Sequence, residues 1–366
     1  MVDWLAGKRV RGTSSERTPL GVTLGGTGVG GWVELGRTTL GGASSTINVS
    51  SLPNKRYYMF LYNEISIGAN AEVRLGSGST IDTGSNYAGR LSRNGGADST
   101  STSSSAGIRI NDNNTGTPNF AVGYIANYAT KEKLLISHNV QQNTAGASNA
   151  PGHRLESVGK WANTSNALDI FQINSSSLVS GDEVVILGWD PADTHTNNFW
   201  QELASVDWTS GNTIDTGTFT AKKYLWVQMS YQSSASHWSF INFNSDNSAT
   251  KYAGRTSING GADGIINPYS ASEQYYQVLG EGSSAIYANN FVNMFIINNA
   301  SNEKLGIVHS YQIKSTELGA GSTGSRFESV IKYAETTNPI TQIELIHNTN
   351  DFEGGTIKVW GSDWDV

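Results

Sequence analysis

Gly26-Thr27-Gly28-Val29-Gly30-Gly31 has the G-x-G-x-x-G spacing that lets backbone amides approach a pyrophosphate. That chemistry needs a strand before the glycines and a helix after them. A strand-like Trp32-Val33-Glu34-Leu35 follows instead, so the segment reads as a flexible joint. The six histidines, at positions 138, 153, 195, 237, 309 and 347, lack the spacing of zinc ligands. His138 and His309 read as half-buried strand residues, and His237 beside Trp238 as part of a surface patch. There is no G-x-S-x-G elbow and no carboxylate pair isolated among apolar residues. Asn111 to Gly116 and Asn244 to Asn247 carry enough oxygens for Ca²⁺ but lack the EF-hand spacing and its final Glu. Asx turns account for them better. These residues predict a protein that is not an enzyme and has no cofactor and no metal site.

Aromatic side chains in polar surroundings are the stronger signal. Trp208, Trp226, Trp238 and Trp364 sit among Ser, Thr, Asn and Asp. That mixture stacks on sugar rings or fills protein–protein pockets. Together with His237 they define a candidate partner or glycan surface. Trp32 and Trp200 read as core.

The elements that must position these residues are duplicated. Tyr87 to Asp98 (YAGRLSRNGGAD) matches Tyr252 to Asp263 (YAGRTSINGGAD) at ten of twelve positions. Trp32-x-Glu34-Leu35 recurs as Trp200-x-Glu202-Leu203, Glu132-Lys133-Leu134 as Glu303-Lys304-Leu305, and His138 as His309. Arg154-x-Glu156-Ser157-Val158 recurs as Arg326-x-Glu328-Ser329-Val330. A self-match of this length is a tandem repeat. It divides the chain into an arm (1–31), repeat one (32–190) and repeat two (199–366), with a turn-rich linker at 190–198.

Short runs of Val, Ile, Tyr, Phe and Thr between Gly, Ser, Asn and Asp clusters predict an all-β fold: two homologous jelly-roll-like β-sandwiches after an extended arm. In the last strand of each repeat, Val184 and Ile186 match Ile357 and Val359, whereas Val185 and Leu187 face Lys358 and Trp360. Agreement on one face and drift on the other predicts a strand with one buried side. Arg154 and Glu156, two apart, should share one sheet face and pair with each other or with a neighbouring strand. Asn94-Gly95-Gly96 and Asn259-Gly260-Gly261 should be hairpin turns with positive φ.

Composition narrows the partners. The 366 residues include no Cys, 41 Gly and ten Trp, are 15% charged and carry net charge −7. Absent Cys excludes disulfide scaffolds, zinc ribbons and thiol nucleophiles. No apolar run reaches the roughly 18 residues a membrane span needs, and mild acidity argues against a nucleic-acid binder. The charge is uneven. Lys8, Arg9, Arg11 and Arg17 outnumber Asp3 and Glu16 in the arm, which is +2 and leaves −9 for the rest. With Trp4 these cations form a candidate anchor on a neighbouring subunit or acidic host surface.

The W-x-E-L strand start, the F-N-x-D segment with its following tyrosine (Phe243, Asn244, Asp246, Tyr252), the N-F strand, and the closing strands Gly181 to Gly188 and Gly354 to Gly361 carry a family likeness. The chain resembles β-sandwich virion structural proteins of tailed phages, notably marine ones. The arm G-K-R-V-R-G-T-S-S-E-R-T also resembles their short leader. Repeat one departs from the pattern, with Gly78-Ser79-Thr80 at the F-N-x-D position. The resemblance implies a capsid-decoration or head-fibre role within a virion assembled in the host cytoplasm. Its partners would be other virion proteins, bound through residues 1–31, and further copies of itself, with no nucleic acid and no membrane. The alternative is a tail-fibre protein that binds host glycan through the Trp-rich second repeat.

Overall fold

A computed structural model describes residues 31–66, 68–112, 117–147, 151–190, 198–233, 239–248, 251–266, 276–279, 287–314, 323–347 and 352–362. Among them every regular element is a strand. Repeat one supplies β1 (Val33–Thr39), β2 (Ser44–Val49), β3 (Tyr57–Glu64), β4 (Glu72–Ser77), β5 (Thr80–Ile81), β6 (Tyr87–Arg93) and β7 (Ser99–Ser105). It continues with β8 (Ile108–Arg109), β9 (Asn119–Ala126), β10 (Lys133–Gln141), β11 (His153–Trp161), β12 (Ile170–Leu178) and β13 (Glu183–Trp189). Repeat two supplies β14 (Gln201–Trp208), β15 (Thr213–Asp215), β16 (Tyr224–Ser233), β17 (Ser239–Phe243), β18 (Tyr252–Ile258) and β19 (Gly264–Ile266). Then follow β20 (Tyr276–Leu279), β21 (Tyr287–Ile297), β22 (Lys304–Lys314), β23 (Ser325–Tyr333), β24 (Ile343–His347) and β25 (Phe352–Gly361).

Each repeat folds into one large and one small antiparallel sheet. The large sheets run β1-β13-β3-β9-β10-β11-β6-β7 and β14-β25-β16-β21-β22-β23-β18-β19; the small ones run β2-β12-β4-β5, with β8 beside β4, and β15-β24-β17-β20. Strands from the two ends of a repeat pair inward, β1 with β13, β2 with β12 and β6 with β11. This is the winding of a jelly-roll-like sandwich. The matched order of the two large sheets makes the internal repeat a structural one.

Each sandwich has its own core between its sheets, Phe60, Phe171, Tyr87 and Trp161 in repeat one and Phe243, Tyr252, Tyr333 and Phe352 in repeat two. Val184 and Ile186, and likewise Ile357 and Val359, point into these cores as the period-two pattern predicts. The opposite face corrects the expectation of one buried side. Val185, Leu187 and Trp360 are buried too, in a third cluster with Met59, Leu61, Phe120, Val122, Val140, Leu305, Ile307 and Val330. Its members come from both repeats, so the large sheets pack face to face and the molecule is four sheets deep. Sheets covered on both faces read as continuous apolar runs. YYMFLYNE in β3 and EVVILGW in β13 are such runs.

The expected turns are present. Asn94 (φ 54°), Gly95 (67°), Asn259 (52°) and Gly260 (78°) take the left-handed conformations that the tight β6–β7 and β18–β19 connections need. Each Asn side chain also accepts an amide of the strand on the other side of the hairpin, Asn94 Oδ1 from Arg154 N on β11 and Asn259 Oδ1 from Arg326 N on β23, both at 2.9 Å. Most of the linker lies outside the described residues. At its far end Phe199 N donates to Trp32 O at 2.8 Å, pinning the start of repeat two to the start of repeat one.

Candidate functional site

The face between the large sheets holds most of the unusual chemistry. Trp200 is fully buried, with Trp226 at 5.8 Å and Phe295 at 6.0 Å between ring centroids. Trp226 stacks on Phe295 (5.6 Å), lies 5.1 Å from Trp360, and donates Nε1–H to Asn293 Oδ1 at 2.7 Å. Trp226 is thus half-buried in the joint between repeats, not part of an open partner surface. Trp208, also half-buried, packs its ring edge-on against Phe352 at 6.3 Å, at the margin of the repeat-two core. Both rings are drawn inward because β14 and β16 need apolar cover that their polar neighbours cannot supply. His237, Trp238 and Trp364 lie outside the described residues, as do the arm residues Trp4, Lys8, Arg9, Arg11 and Arg17.

Polar groups bracket the aromatic cluster. Glu183 on β13 takes a hydrogen bond from Tyr224 Oη (2.7 Å) and ion-pairs with Lys223 (3.0 Å) across the joint and with Arg37 (3.3 Å) in its own repeat. Burial opposes its ionisation. Lys223, Thr39, Tyr224 and Arg37 outweigh that and hold the carboxyl below its usual range. On the other side Gln142 Nε2 donates to Glu303 Oε2 at 2.6 Å, and Lys332 Nζ to Thr144 O at 2.8 Å.

The equivalent histidines meet here. His138 on β10 and His309 on β22 contact edge-on with ring centroids 4.3 Å apart. Burial depresses both, His138 to about 4 and His309 to about 3, so both are neutral at physiological pH. One ligand atom from each histidine and one from Glu156 lie within 4.8 Å of one another, a donor set suited to a divalent metal. A cation already serves the carboxylate. Arg154 bonds Glu156, as the spacing predicts, and reaches Glu328 (3.4 Å) and Asp263 (2.8 Å) of repeat two. We therefore read the cluster as a charge-satisfied seam. Sequence spacing could not reveal it, because the two imidazoles are 171 positions apart and meet only when the sheets dock.

The F-N-x-D segment is architectural. Tyr252 Oη accepts from Phe243 N (3.0 Å), Tyr333 Oη donates to Asp246 Oδ2 (2.8 Å), and Asn244 Oδ1 accepts from Thr341 N (2.8 Å). Repeat one builds the same corner differently. Trp161 Nε1 donates to Asp82 Oδ2 and Tyr87 Oη to Asp82 O, each at 2.8 Å, so Asp82 replaces the aspartate missing from Gly78-Ser79-Thr80. The Asx oxygens weighed for Ca²⁺ are spent similarly. Asn111 accepts from Ala71 N and Asp112 from Arg93 and Arg109, while 113–116 lie outside the described residues.

The open aromatic surface lies in repeat one. Trp32, Tyr57, Tyr124, Leu134, Ile136 and Trp189 line an apolar groove of about 390 Å³ on the outer face of its large sheet, with Tyr57 stacked on Trp189 at 5.5 Å. Trp32, read as core in the sequence, is a half-buried wall of this groove. Sequence reasoning missed Leu134, Ile136 and Val158, all exposed. The available signal was the matched Glu-Lys-Leu triplets, which place Leu134 opposite Leu305 in the repeat alignment.

No known family model matches the chain, and no curated protein does. Among solved structures, domains LG4-5 of the mouse laminin α1 chain align over 89% of this chain and 92% of theirs, at 8% identity and a TM-score of 0.16. That score is too low to carry an argument, and the β-sandwich assignment stands on the sheets themselves.

Proposed function

We propose that the chain is a non-catalytic virion structural protein, a capsid decoration or head-fibre subunit. Residues 1–31 anchor it to other virion proteins, and the virion forms in the host cytoplasm. The observation that carries this reading is where the duplicated motifs are used. Matched Arg, Glu, His, Asn and Tyr residues hold sheets, corners and the joint between sandwiches. A duplicated sandwich locked into one unit, with low surface charge and an apolar face beside the arm's exit at Trp32, suits dense packing on a particle. The sequence resemblance points the same way.

The test is co-sedimentation with capsids. Charge reversal at Lys8, Arg9, Arg11 and Arg17 should abolish capsid occupancy while leaving the melting curve of the sandwiches unchanged. Full occupancy by the reversed protein would remove the anchor from the account. A glycan-binding role keeps one supporting observation, the exposed Tyr57 and Tyr128 rings with Trp189 stacked beside Tyr57. It adds a contact surface in repeat one to the one expected in repeat two. Glycan-array binding lost on Trp189→Ala would favour it.

A further inference from the structure

The two sandwiches do not meet through equivalent surfaces. In a two-fold contact, equivalent residues are buried equally. Here Leu134 is 55% exposed and its equivalent Leu305 1%, whereas Phe120 is 1% exposed and its equivalent Phe291 47%. The same opposition holds at further positions, while Leu187 and its equivalent Trp360 are both buried in the third cluster. Ile136 and Val158 are exposed where Ile307 and Val330 are buried; Val140 is buried where Tyr311 is exposed. Repeat one thus docks through one half of its large sheet onto the other half of repeat two's sheet. The contact is head-to-tail.

A head-to-tail contact between two copies of one fold leaves an unused half-face at each end. Repeat one retains the half that repeat two buries, and repeat two retains the half that repeat one buries. The ionic groups follow the same rule. Inside the chain Arg154 pairs with Asp263, and Lys332 with Glu303, all largely shielded from solvent. Their equivalents lie open. Arg326 is exposed at the repeat-two end, and Asp98 and the Lys160–Glu132 pair at the repeat-one end. Exposed apolar clusters of this kind mark association surfaces, and the occupant already known to fit this one is a copy of the partner half-face.

We propose that a second copy of this chain docks here. The Phe291, Tyr311 and Arg326 half-face of repeat two would seat on the Leu134, Ile136, Val158 and Asp98 half-face of the next chain's repeat one, repeating the internal joint. Leu61, Val122 and Val185 become Gln228, Asn293 and Lys358 on the repeat-two half-face. That makes the contact between chains more polar than the one within a chain, and more readily reversed. This inference is independent of the virion reading.

The chain has no Cys, so single cysteines report contacts cleanly. Full-length Arg326→Cys and Asp98→Cys proteins are mixed and treated with a short bismaleimide. The expected result is a cross-linked dimer in the mixture and none from either protein alone. Light scattering of the unsubstituted chain should give a mass above that of the monomer. Ile136→Glu should reduce it to the monomer while leaving the far-ultraviolet circular dichroism of the fold unchanged, since that side chain is exposed. No cross-link in the mixture, equal cross-linking by a single variant, or a monomeric unsubstituted chain would each overturn the proposal. A groove covered by residues 1–30 of the same chain would give the first and third of these results.

Discussion

His138 and His309 show how one side-chain pair can make the joint between repeats sensitive to acid. Their folded pKa values, about 4 and about 3, lie below the ordinary 6.5, so the unfolded chain binds more protons between these limits. Their contribution is complete above pH 6.5 and is lost as pH falls towards 4, at about 1.4 kcal/mol per pH unit for each imidazole. Urea unfolding at pH 7, 5.5 and 4.5 should show this slope, and His138→Gln with His309→Gln should flatten it. Glu64 works in the opposite direction. Buried beside Asp182, with Asn111 and Asn119 donating to it, its carboxyl is raised to about 8. It therefore stays neutral in the fold while the unfolded chain ionises above about 4.5, so stability declines from there to about pH 8. Glu64→Gln should remove that decline and raise stability at pH 8 relative to pH 5. Glu64 does not stand out in the sequence, and His138 and His309 do so only as matched strand residues, because what surrounds these groups comes from strands distant along the chain.

Strand identity was largely legible from composition, because β-branched and aromatic runs between Asx and Gly clusters have few other uses. The Asn-Gly-Gly turns and the inward face of Val184, Ile186, Ile357 and Val359 followed from local pattern and self-comparison. The second buried face did not, since period-two reasoning assumes water on one side of a sheet. The drift from Val185 and Leu187 to Lys358 and Trp360 suggested a solvent face. Val185 is buried in the joint while its equivalent Lys358 pairs with Glu202, and Leu187 and Trp360 are both buried there. Trp200 is fully buried in the cluster the two repeats share, and Trp200→Ala should cost about 3–5 kcal/mol in chemical denaturation. At the repeat-two corner, Asn244 has φ 57° and accepts from Thr341 N and Gln342 N. Asn244→Ala strands those amides and should cost about 1–3 kcal/mol. A loss below about 0.5 kcal/mol there, the scale of an ordinary surface substitution, would mean the F-N-x-D segment is not the corner's fastening.

At the scale of the whole molecule, the shared third core makes two sandwiches one cooperative body. Heating should give a single calorimetric transition, and Trp200→Ala should separate it into two as the joint fails before either sandwich. The same rigid pairing leaves the complementary half-faces at its two ends and brings the start of repeat one, where the arm enters, beside the apolar groove. Such a unit is suited to being placed many times on a particle. The most direct test of the proposed virion role is quantitative mass spectrometry of purified virions produced by the source of the chain, with heads and tails separated. The account expects the chain in the head fraction, at many copies per particle and in fixed ratio to the major capsid protein. Absence from both fractions would contradict the virion assignment, and recovery only with tails would replace the decoration role with the receptor-binding one.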